Sequence, residues 1–248
     1  MSYQVIDHQY HVFLKEMKTF FEKNTNEILF QKRNTLKIVS FEESKYVVKS
    51  FKVPHLLNRI IYRFFRDSKA KRSYVNSLRL LDLGMNTPKP IGYIEYTSLY
   101  FLNESFYVSE FFDYDFEIRA VLKDKAFPDR ETIFREFIKF TYDLHEKGVY
   151  HIDYSPGNIL VKKEGDRYIF SIIDVNRMKF LSLDMPLRMQ SLSKLTNDEE
   201  DNSLMVSYYA KEASQEKIFL QNLFQKALKK QQRYLLQKKK WKTFLGKR

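Results

Sequence analysis

The residues between 151 and 158 could carry out chemistry together. His151, Asp153 and Asn158 follow the spacing His-x-Asp-x4-Asn, and Asp174 comes later, after the apolar residues Ile172 and Ile173. Phosphoryl transfer needs a carboxylate that orients the acceptor hydroxyl and takes its proton, and Asp153 is the candidate. It also needs oxygen ligands for Mg²⁺, and Asn158 and Asp174 can supply them. The spacing therefore predicts transfer of a phosphoryl group from ATP with Mg²⁺.

A lysine in the first half of the chain completes this set. Lys49 ends the phrase Tyr46-Val-Val-Lys, whose residue types resemble the strand that presents a lysine to the nucleotide phosphates. Each residue also has a plain structural alternative: Lys49 as a solvent-facing strand lysine, Asp153 as a loop-capping residue and Asn158 as a turn residue. The order in which all four residues occur favours the chemical interpretation, and His151 is expected to hold the loop structurally.

The elements that position these residues can be predicted from hydrophobic periodicity. The first half of the chain has short β-branched and aromatic runs, which predict strands, and one helical stretch. The second half is mainly helical, with a strand pair after the loop. The predicted strands are Ile28–Phe30, Thr35–Phe41, Tyr46–Phe51, Ile91–Tyr96, Phe106–Phe111, Asn158–Lys162 and Tyr168–Ile173, and the two long helices are Lys69–Leu83 and Glu131–Lys147.

The chain is therefore expected to have two lobes and an α+β fold, and the spacing of His151, Asp153 and Asn158 before Asp174 resembles that of protein-kinase-like folds. A small, mostly-β N-lobe with one main helix would occupy residues 1–109, and a mostly-α C-lobe would occupy residues 110–248. The seam is expected near residues 110–113. Ligands often bind where two lobes meet, so Glu110 and Phe112 are candidate nucleotide-binding residues together with Lys49.

The composition excludes several other classes of protein. The chain of 248 residues is 44% hydrophobic, which is too apolar for a disordered chain, and it has no Cys for a disulfide framework. Its longest run without a charged residue, Asn202–Ala210, is too short to span a bilayer, and no secretory signal is visible. The formal net charge is +12, and Lys217–Arg248 holds 11 basic and no acidic residues. Because the charge is concentrated in this tail and is not spread over a domain face, nucleic acid is not expected as a partner.

The chain resembles the lipopolysaccharide-core (Kdo/heptose) kinases, small bacterial relatives of protein kinases. The resemblance covers roughly residues 28–180. It implies that Lys49 is the nucleotide lysine, Asp153 the catalytic base, and Asn158 and Asp174 the Mg²⁺ ligands, with a sugar hydroxyl of the lipid A–core precursor as acceptor. The phrases that carry it are Tyr46–Lys52, Ser68–Tyr74, Leu83–Tyr93, His151–Val161 and Ile173–Met178, of which Asp174-Val-Asn-Arg-Met is the most specific.

Three departures from the kinase pattern concern the nucleotide and the acceptor. The phrase Phe30–Thr35 has no glycine, so Lys32, Arg33 and Asn34 are expected to supply side-chain donors to the phosphates, with Arg33 as a nucleotide-binding candidate. No Glu occurs between Glu43 and Glu95, and Val75 stands where family members have the glutamate that pairs with the lysine. The phrase His151-Ile-Asp153 lacks the arginine that holds a phosphorylated activation loop, which favours a small or glycan acceptor.

These observations predict an ATP-dependent kinase that phosphorylates a lipopolysaccharide or other glycan acceptor. Two alternatives stay open: a kinase of the same fold that acts on a small molecule or a protein, and a pseudokinase that binds nucleotide without turnover. The basic tail has apolar residues at helical spacing from Phe219 to Leu228. It is expected either to pack in the C-lobe and end in solvent, or to contact an anionic membrane. The predicted location is the cytoplasm, at the inner face of the bacterial inner membrane if the tail binds lipid.

Overall fold

The computed structural model describes residues 1–23, 26–31, 34–52, 61–62, 66–99 and 101–244, with the side chains of 242 and 244 left out. The chain divides into two compact units. The first comprises Met1–Asp113 and Ser171–Arg177, and the second comprises Tyr114–Phe170 and Met178–Arg248. The lobe boundary predicted from sequence, between residues 109 and 110, lies four residues before this division, and the return of Ser171–Arg177 to the first unit was not anticipated.

An antiparallel sheet forms the centre of the first unit. Its strands run in the order β1-β5-β6-β4-β3-β2. Side chains alternate between the two faces of a strand, so Tyr46 and Val48 on β4 face one layer while Lys49 and Phe51 are on the other side. The strands are β1 (Ser2–Val5), β2 (Glu27–Gln31), β3 (Asn34–Phe41), β4 (Ser44–Phe51), β5 (Pro90–Thr97) and β6 (Leu102–Glu110).

Helices cover both faces of this sheet. On one face, the short helices α1 (His11–Lys15) and α2 (Met17–Glu22) bury Phe13, Leu14 and Met17 against the strands. On the other face, helix α3 (Lys69–Asp82) packs Ala70 and Tyr74 against Phe51 and Tyr93. Helix α3 begins at Ser68, whose hydroxyl accepts a hydrogen bond from the Lys71 amide at 3.0 Å, an N-cap contact. The predicted helix and all the predicted strands of this unit are confirmed, with small changes at their ends.

The second unit is mainly helical. Its longest buried helix is α5 (Arg130–Glu146), which contacts α7 (Glu199–Glu212), and α8 (Lys217–Phe244) packs against α6 (Met185–Leu192) and α7. A three-stranded sheet has the order β10-β9-β7, and β11 pairs with β8. The remaining elements are α4 (Ile118–Lys123), β7 (Phe116–Glu117), β8 (Val149–His151), β9 (Ile159–Glu164), β10 (Arg167–Ile172) and β11 (Met178–Phe180). Among the described residues, none of the helices is both long and apolar enough for a membrane span.

The tail is a helix, and its two ends differ in burial. Leu220, Phe224, Ala227 and Leu228 are buried, as a packed C-lobe helix requires. From residue 232 to residue 241 every side chain is exposed, including Trp241 at 63%. The helix is therefore anchored by its first three turns, and its basic end extends into solvent.

Candidate active site

Lys49 lies on an interior strand of the first unit. It is paired in register with Leu36 of β3 on one side and Tyr107 of β6 on the other, and its side chain is 12% exposed. Its ammonium group forms an ion pair with the carboxylate of Asp174. The sequence separates the two residues by 125 positions, and the fold brings them together within one unit.

Tyr107 links the strand beside Lys49 to helix α3. Its hydroxyl shares a hydrogen bond of 2.9 Å with the Ser77 hydroxyl. Burial raises the pKa of Tyr107 to about 12, although its hydrogen bonds to Ser77 and Ser109 act in the opposite direction. The phenol is therefore neutral at physiological pH, and it serves as a hydrogen-bonding contact between the sheet and the helix.

Asp174 is held in an uncommon backbone conformation. Its φ of 58° lies in the left-handed region, which costs a residue with a side chain on the order of 1 kcal/mol or more. The side-chain amide of Asn176 donates to the same carboxylate oxygen as Lys49 does, at 2.7 Å. Two donors on one oxygen fix the direction of the carboxylate.

The loop after β8 belongs to the second unit. His151 is fully buried, and its Nδ1 accepts a hydrogen bond of 3.1 Å from the backbone amide of Asp153. The side-chain amide of Asn158 donates to the backbone carbonyl of Asp153 at 2.9 Å. Both backbone polar groups of Asp153 are therefore engaged, and the loop presents its side chain in a defined direction.

Neighbouring side chains anchor this loop to helical residues of the same unit. Tyr154 is fully buried, and its hydroxyl shares a hydrogen bond of 2.7 Å with Thr141 of α5. Burial raises the pKa of Tyr154, so the hydroxyl stays neutral. Lys194 donates to the carbonyl of Ile152 at 2.9 Å. The loop is thus supported by a helix on one side and by a lysine on the other.

The remaining candidate residues have different surroundings. The Glu110 carboxylate lies 3.1 Å from the Lys89 ammonium, and Phe112 follows β6 as a half-buried side chain. The side-chain oxygen of Asn34 accepts a hydrogen bond of 3.3 Å from the Lys52 amide, which leaves its side-chain nitrogen as the atom that could donate to phosphate. Lys32 and Arg33 lie outside the described residues.

Sequence reasoning missed two asparagines that act on the Asp174 segment. They are Asn176, described above, and Asn76 of α3, which donates to the carbonyl of Val175 at 2.7 Å. Asn176 lies in the phrase Ile173–Met178 that pointed to the family, and Asn76 lies two residues after the phrase Ser68–Tyr74, but an asparagine carries no periodic signal that would predict its partner. The structure groups Lys49, Asp174 and these asparagines in the first unit, and Asp153 with Asn158 in the second.

Asp174 in the first unit and Asn158 in the second each carry oxygen atoms of the kind that magnesium prefers. Asp174 offers carboxylate oxygens, and because the amide nitrogen of Asn158 bonds the Asp153 carbonyl, the amide oxygen is the atom that Asn158 can offer a ligand. Magnesium prefers such oxygen ligands and typically uses only one or two from the protein. Across the described part of the chain, no cluster of three or more His, Asp or Glu side chains forms a larger metal site.

A strand lysine paired with an aspartate, and a loop presenting a second aspartate beside an asparagine, define the protein as a kinase. Comparison with protein families gives the particular group. A model of the lipopolysaccharide kinase (Kdo/WaaP) family matches residues 16–230, and the chain belongs to this family. It is therefore a phosphotransferase that uses ATP and acts on lipopolysaccharide core, as the sequence predicted.

A solved structure shows the same fold. The chain is similar to WaaP, solved in complex with acyl carrier protein, with a TM-score of 0.64 and 15% identity over 93% of this chain and 99% of that one. WbdD, a bifunctional kinase-methyltransferase, is 18% identical with a TM-score of 0.46, over 79% of this chain and 43% of that one. The two-lobed kinase-like fold predicted from sequence is confirmed. A comparison with curated proteins finds no match.

Proposed function

We propose that this protein transfers the γ-phosphoryl group of ATP to a sugar hydroxyl of a lipid A–core precursor. The family supports the reaction and the class of acceptor. The observation that carries the residue assignment is the ion pair between Lys49 and Asp174, because it joins a strand lysine to the aspartate of the family-specific phrase. In this proposal Lys49 binds the α- and β-phosphates, and Glu110, Phe112 and Arg33 contribute to the nucleotide site.

Asp153 is the proposed catalytic base. It accepts the proton of the sugar hydroxyl while the hydroxyl oxygen forms its bond to the γ-phosphorus. The bond from this phosphorus to the bridging oxygen of ATP breaks, and ADP leaves with the electron pair. The hydrogen bonds from Asp153 to His151 and from Asn158 to Asp153 support this role, since a base must be held in one direction to accept a proton efficiently.

Asn158 and Asp174 are the proposed ligands of Mg²⁺. When bound, the ion neutralises charge on the phosphates of ATP. The contribution of the chain is to hold the two oxygen donors, which it does through the bond from Asn158 to the Asp153 carbonyl and the bonds from Lys49 and Asn176 to the Asp174 carboxylate.

The acceptor can be tested by transfer from labelled ATP. Purified lipid A–core, free core sugars and a protein extract are compared as acceptors at equal enzyme concentration. We expect label in lipid A–core, little in free sugars and none in protein. Label that appears mainly in protein, or mainly in a small soluble sugar, contradicts the proposed acceptor while leaving the kinase assignment intact.

We further propose that the exposed end of α8 contacts an anionic membrane, which places the protein at the inner face of the bacterial inner membrane. Tyr234 and Trp241 are 56% and 63% exposed and lie seven residues apart, on the same side of the helix. Lys238 lies between them in the sequence, and its ammonium is 5.8 Å from the Tyr234 ring centroid. Aromatic rings next to lysines are typical of helices that bind the membrane interface. The proposed acceptor, a lipid A–core precursor, is itself bound to a membrane, so this contact would hold the protein at the surface where its acceptor lies.

Two triple variants test the membrane contact. The first replaces Lys238, Lys239 and Lys240 by Ala, and the second makes the same charge change at Lys226, Lys229 and Lys230 on the anchored part of the helix. Sedimentation with anionic vesicles should fall roughly 10²-fold for the first variant and much less for the second. The difference should shrink at high salt, which screens surface charge. Equal sedimentation of the first variant and the parent would refute the contact.

A further inference from the structure

Helix α3 lacks the carboxylate that kinases place opposite the strand lysine. Its sequence, Lys69–Asp82, contains no Glu, and the family position is filled by Val75, which is 44% exposed. Lys49 pairs with Asp174 in this structure. If helix α3 helps to position the site, it must do so through a side chain other than a glutamate. The contacts of the helix identify this side chain.

Asn76 follows Val75 directly and faces the Asp174 segment. Its side-chain amide donates to the backbone carbonyl of Val175 at 2.7 Å. The acceptor belongs to a well-packed residue, since Val175 is 3% exposed and helix α3 packs against Val175–Arg177. A hydrogen bond to a buried backbone carbonyl holds the main chain, and here it does so one residue after Asp174.

The backbone before Asp174 is held in a similar way. The Thr87 hydroxyl donates to the carbonyl of Ile172 at 2.7 Å, and the Ile172 amide donates to the carbonyl of Asn86 at 3.0 Å. Asp174 lies between these two anchors with its φ of 58°. A left-handed aspartate persists only where its surroundings determine it, so the anchors on both sides decide where its carboxylate points.

We propose that Asn76 is a positioning residue for Asp174. It lies one position after Val75, which stands where family members have the glutamate, and it ties helix α3 to the aspartate by a side-chain-to-backbone hydrogen bond to the Val175 carbonyl. The carboxylate of Asp174 then stays in the direction in which it binds the magnesium–nucleotide complex. This inference rests on the proposed role of Asp174 as a metal ligand.

Three variants test the inference. Asn76→Asp has the same shape and removes the donor, Asn76→Ala removes the side chain beyond Cβ, and Val75→Ala is the control one position earlier on the same helix. In protein without metal or nucleotide, hydrogen exchange of residues 171–177 should rise roughly tenfold in both Asn76 variants, the scale of one hydrogen bond. It should be unchanged in Val75→Ala.

Calorimetry of ATP binding shows whether this loosening acts through Asp174. In Mg²⁺ the affinity of both Asn76 variants should fall roughly tenfold, and in EDTA it should equal that of the parent. In an Asp174→Ala background the Asn76 substitution should have no further effect on affinity, because a residue that acts through another has no effect once that residue is gone.

The outcomes separate the inference from the proposed function. If the parent binds ATP equally in Mg²⁺ and EDTA, the metal role of Asp174 is wrong. If the parent depends on Mg²⁺ but the Asn76 variants match it, or lose affinity equally in EDTA, the positioning role is wrong. Failure of both Asn76 variants to fold also overturns it, because the contact then belongs to the core.

Discussion

Replacing Gly148 by Ala should destabilise the second unit by a magnitude that the structure allows to be estimated. Gly148 follows helix α5 with a φ of +71°, and its amide donates to the His145 carbonyl at 3.0 Å, as a helix C-cap does. A Cβ added here would lie 2.9 Å from the backbone carbonyl oxygen of Leu181. The Leu181 amide in turn donates to the Gly148 carbonyl at 2.8 Å, so this close approach is part of the pairing of β8 with β11.

Two effects add in this variant. A left-handed backbone at Ala destabilises the folded state by about 1–2 kcal/mol. Ala also lowers the chain entropy of the unfolded state, which stabilises the protein by about 0.4–1 kcal/mol, so the net loss of stability from the backbone is about 1 kcal/mol. Contact with a backbone oxygen that cannot rotate away adds about 1–2 kcal/mol, as overpacking does. The expected loss for Gly148→Ala is therefore about 2–3 kcal/mol.

Gly165 provides the matched control. Its φ is +60°, and an added Cβ would meet nothing within 4 Å, so Gly165→Ala carries the backbone term alone. Urea unfolding followed by far-ultraviolet circular dichroism gives both values, with an expected loss of about 1 kcal/mol for the control. Turnover should also fall in Gly148→Ala, since β8 leads directly into the loop of Asp153. Equal losses of stability in the two variants would refute the reasoning, because the approach to Leu181 would then carry no penalty.

Three further predictions concern the site and its support. Asp153→Asn should keep the fold and ATP binding and lose at least ~10²-fold in kcat. The control is Asp166→Asn, a change in an exposed turn, which should keep parental turnover. Near-parental turnover of Asp153→Asn would show that Asp153 is not the catalytic base. Removal of Mg²⁺ by EDTA, or Asp174→Ala, should weaken ATP binding in calorimetry, and equal affinity with and without the ion in the parent contradicts the metal assignment. Burial, assisted by the charges of Arg188 and Lys194, lowers the pKa of His145 to about 3. Below about pH 6.5 the unfolded state then binds one proton more than the folded state, so the free energy of unfolding should fall by about 2 kcal/mol between pH 7 and pH 5. Urea unfolding at the two pH values measures this change, which should be smaller in His145→Gln.

Strong hydrophobic patterns in the sequence predicted the fold well. The strands of the first unit and helices α3 and α5 lie where periodicity placed them. The hydrophobic pattern of α3 does not by itself identify its buried face. On α3, Leu80 is buried and Leu81 is 37% exposed. The buried face also includes Ser73 and Ser77, and because these side chains are polar, a pattern of hydrophobic residues does not include them. The strand Ser2–Val5 was missed because it gains its stability from pairing with β5.

The candidate site was predictable to the extent that its residues occur in phrases with fixed spacing. Lys49 and Asp174 are joined as two residues of one site should be, but no local rule predicts that Asp174 takes a left-handed backbone or that Asn76 and Asn176 bond its segment. The bond from Asn76 joins residues 99 positions apart, and Asn176, although only two positions from Asp174, carries no sign in the sequence that its amide bonds that carboxylate. Spacing indicates which side chains belong to a site, and tertiary contacts decide how each is held.

The membership of Ser171–Arg177 in the first unit affects how the chain folds during synthesis. The rest of that unit, Met1–Asp113, leaves the ribosome first, and about sixty further residues must emerge before Arg177 does. At about 5–20 residues per second this interval lasts roughly 3–12 s. Throughout it, Lys49 and Asn76 lack the partners that they have in the finished protein. The first unit therefore begins to form early but is completed only after residues 114–177 have been synthesised.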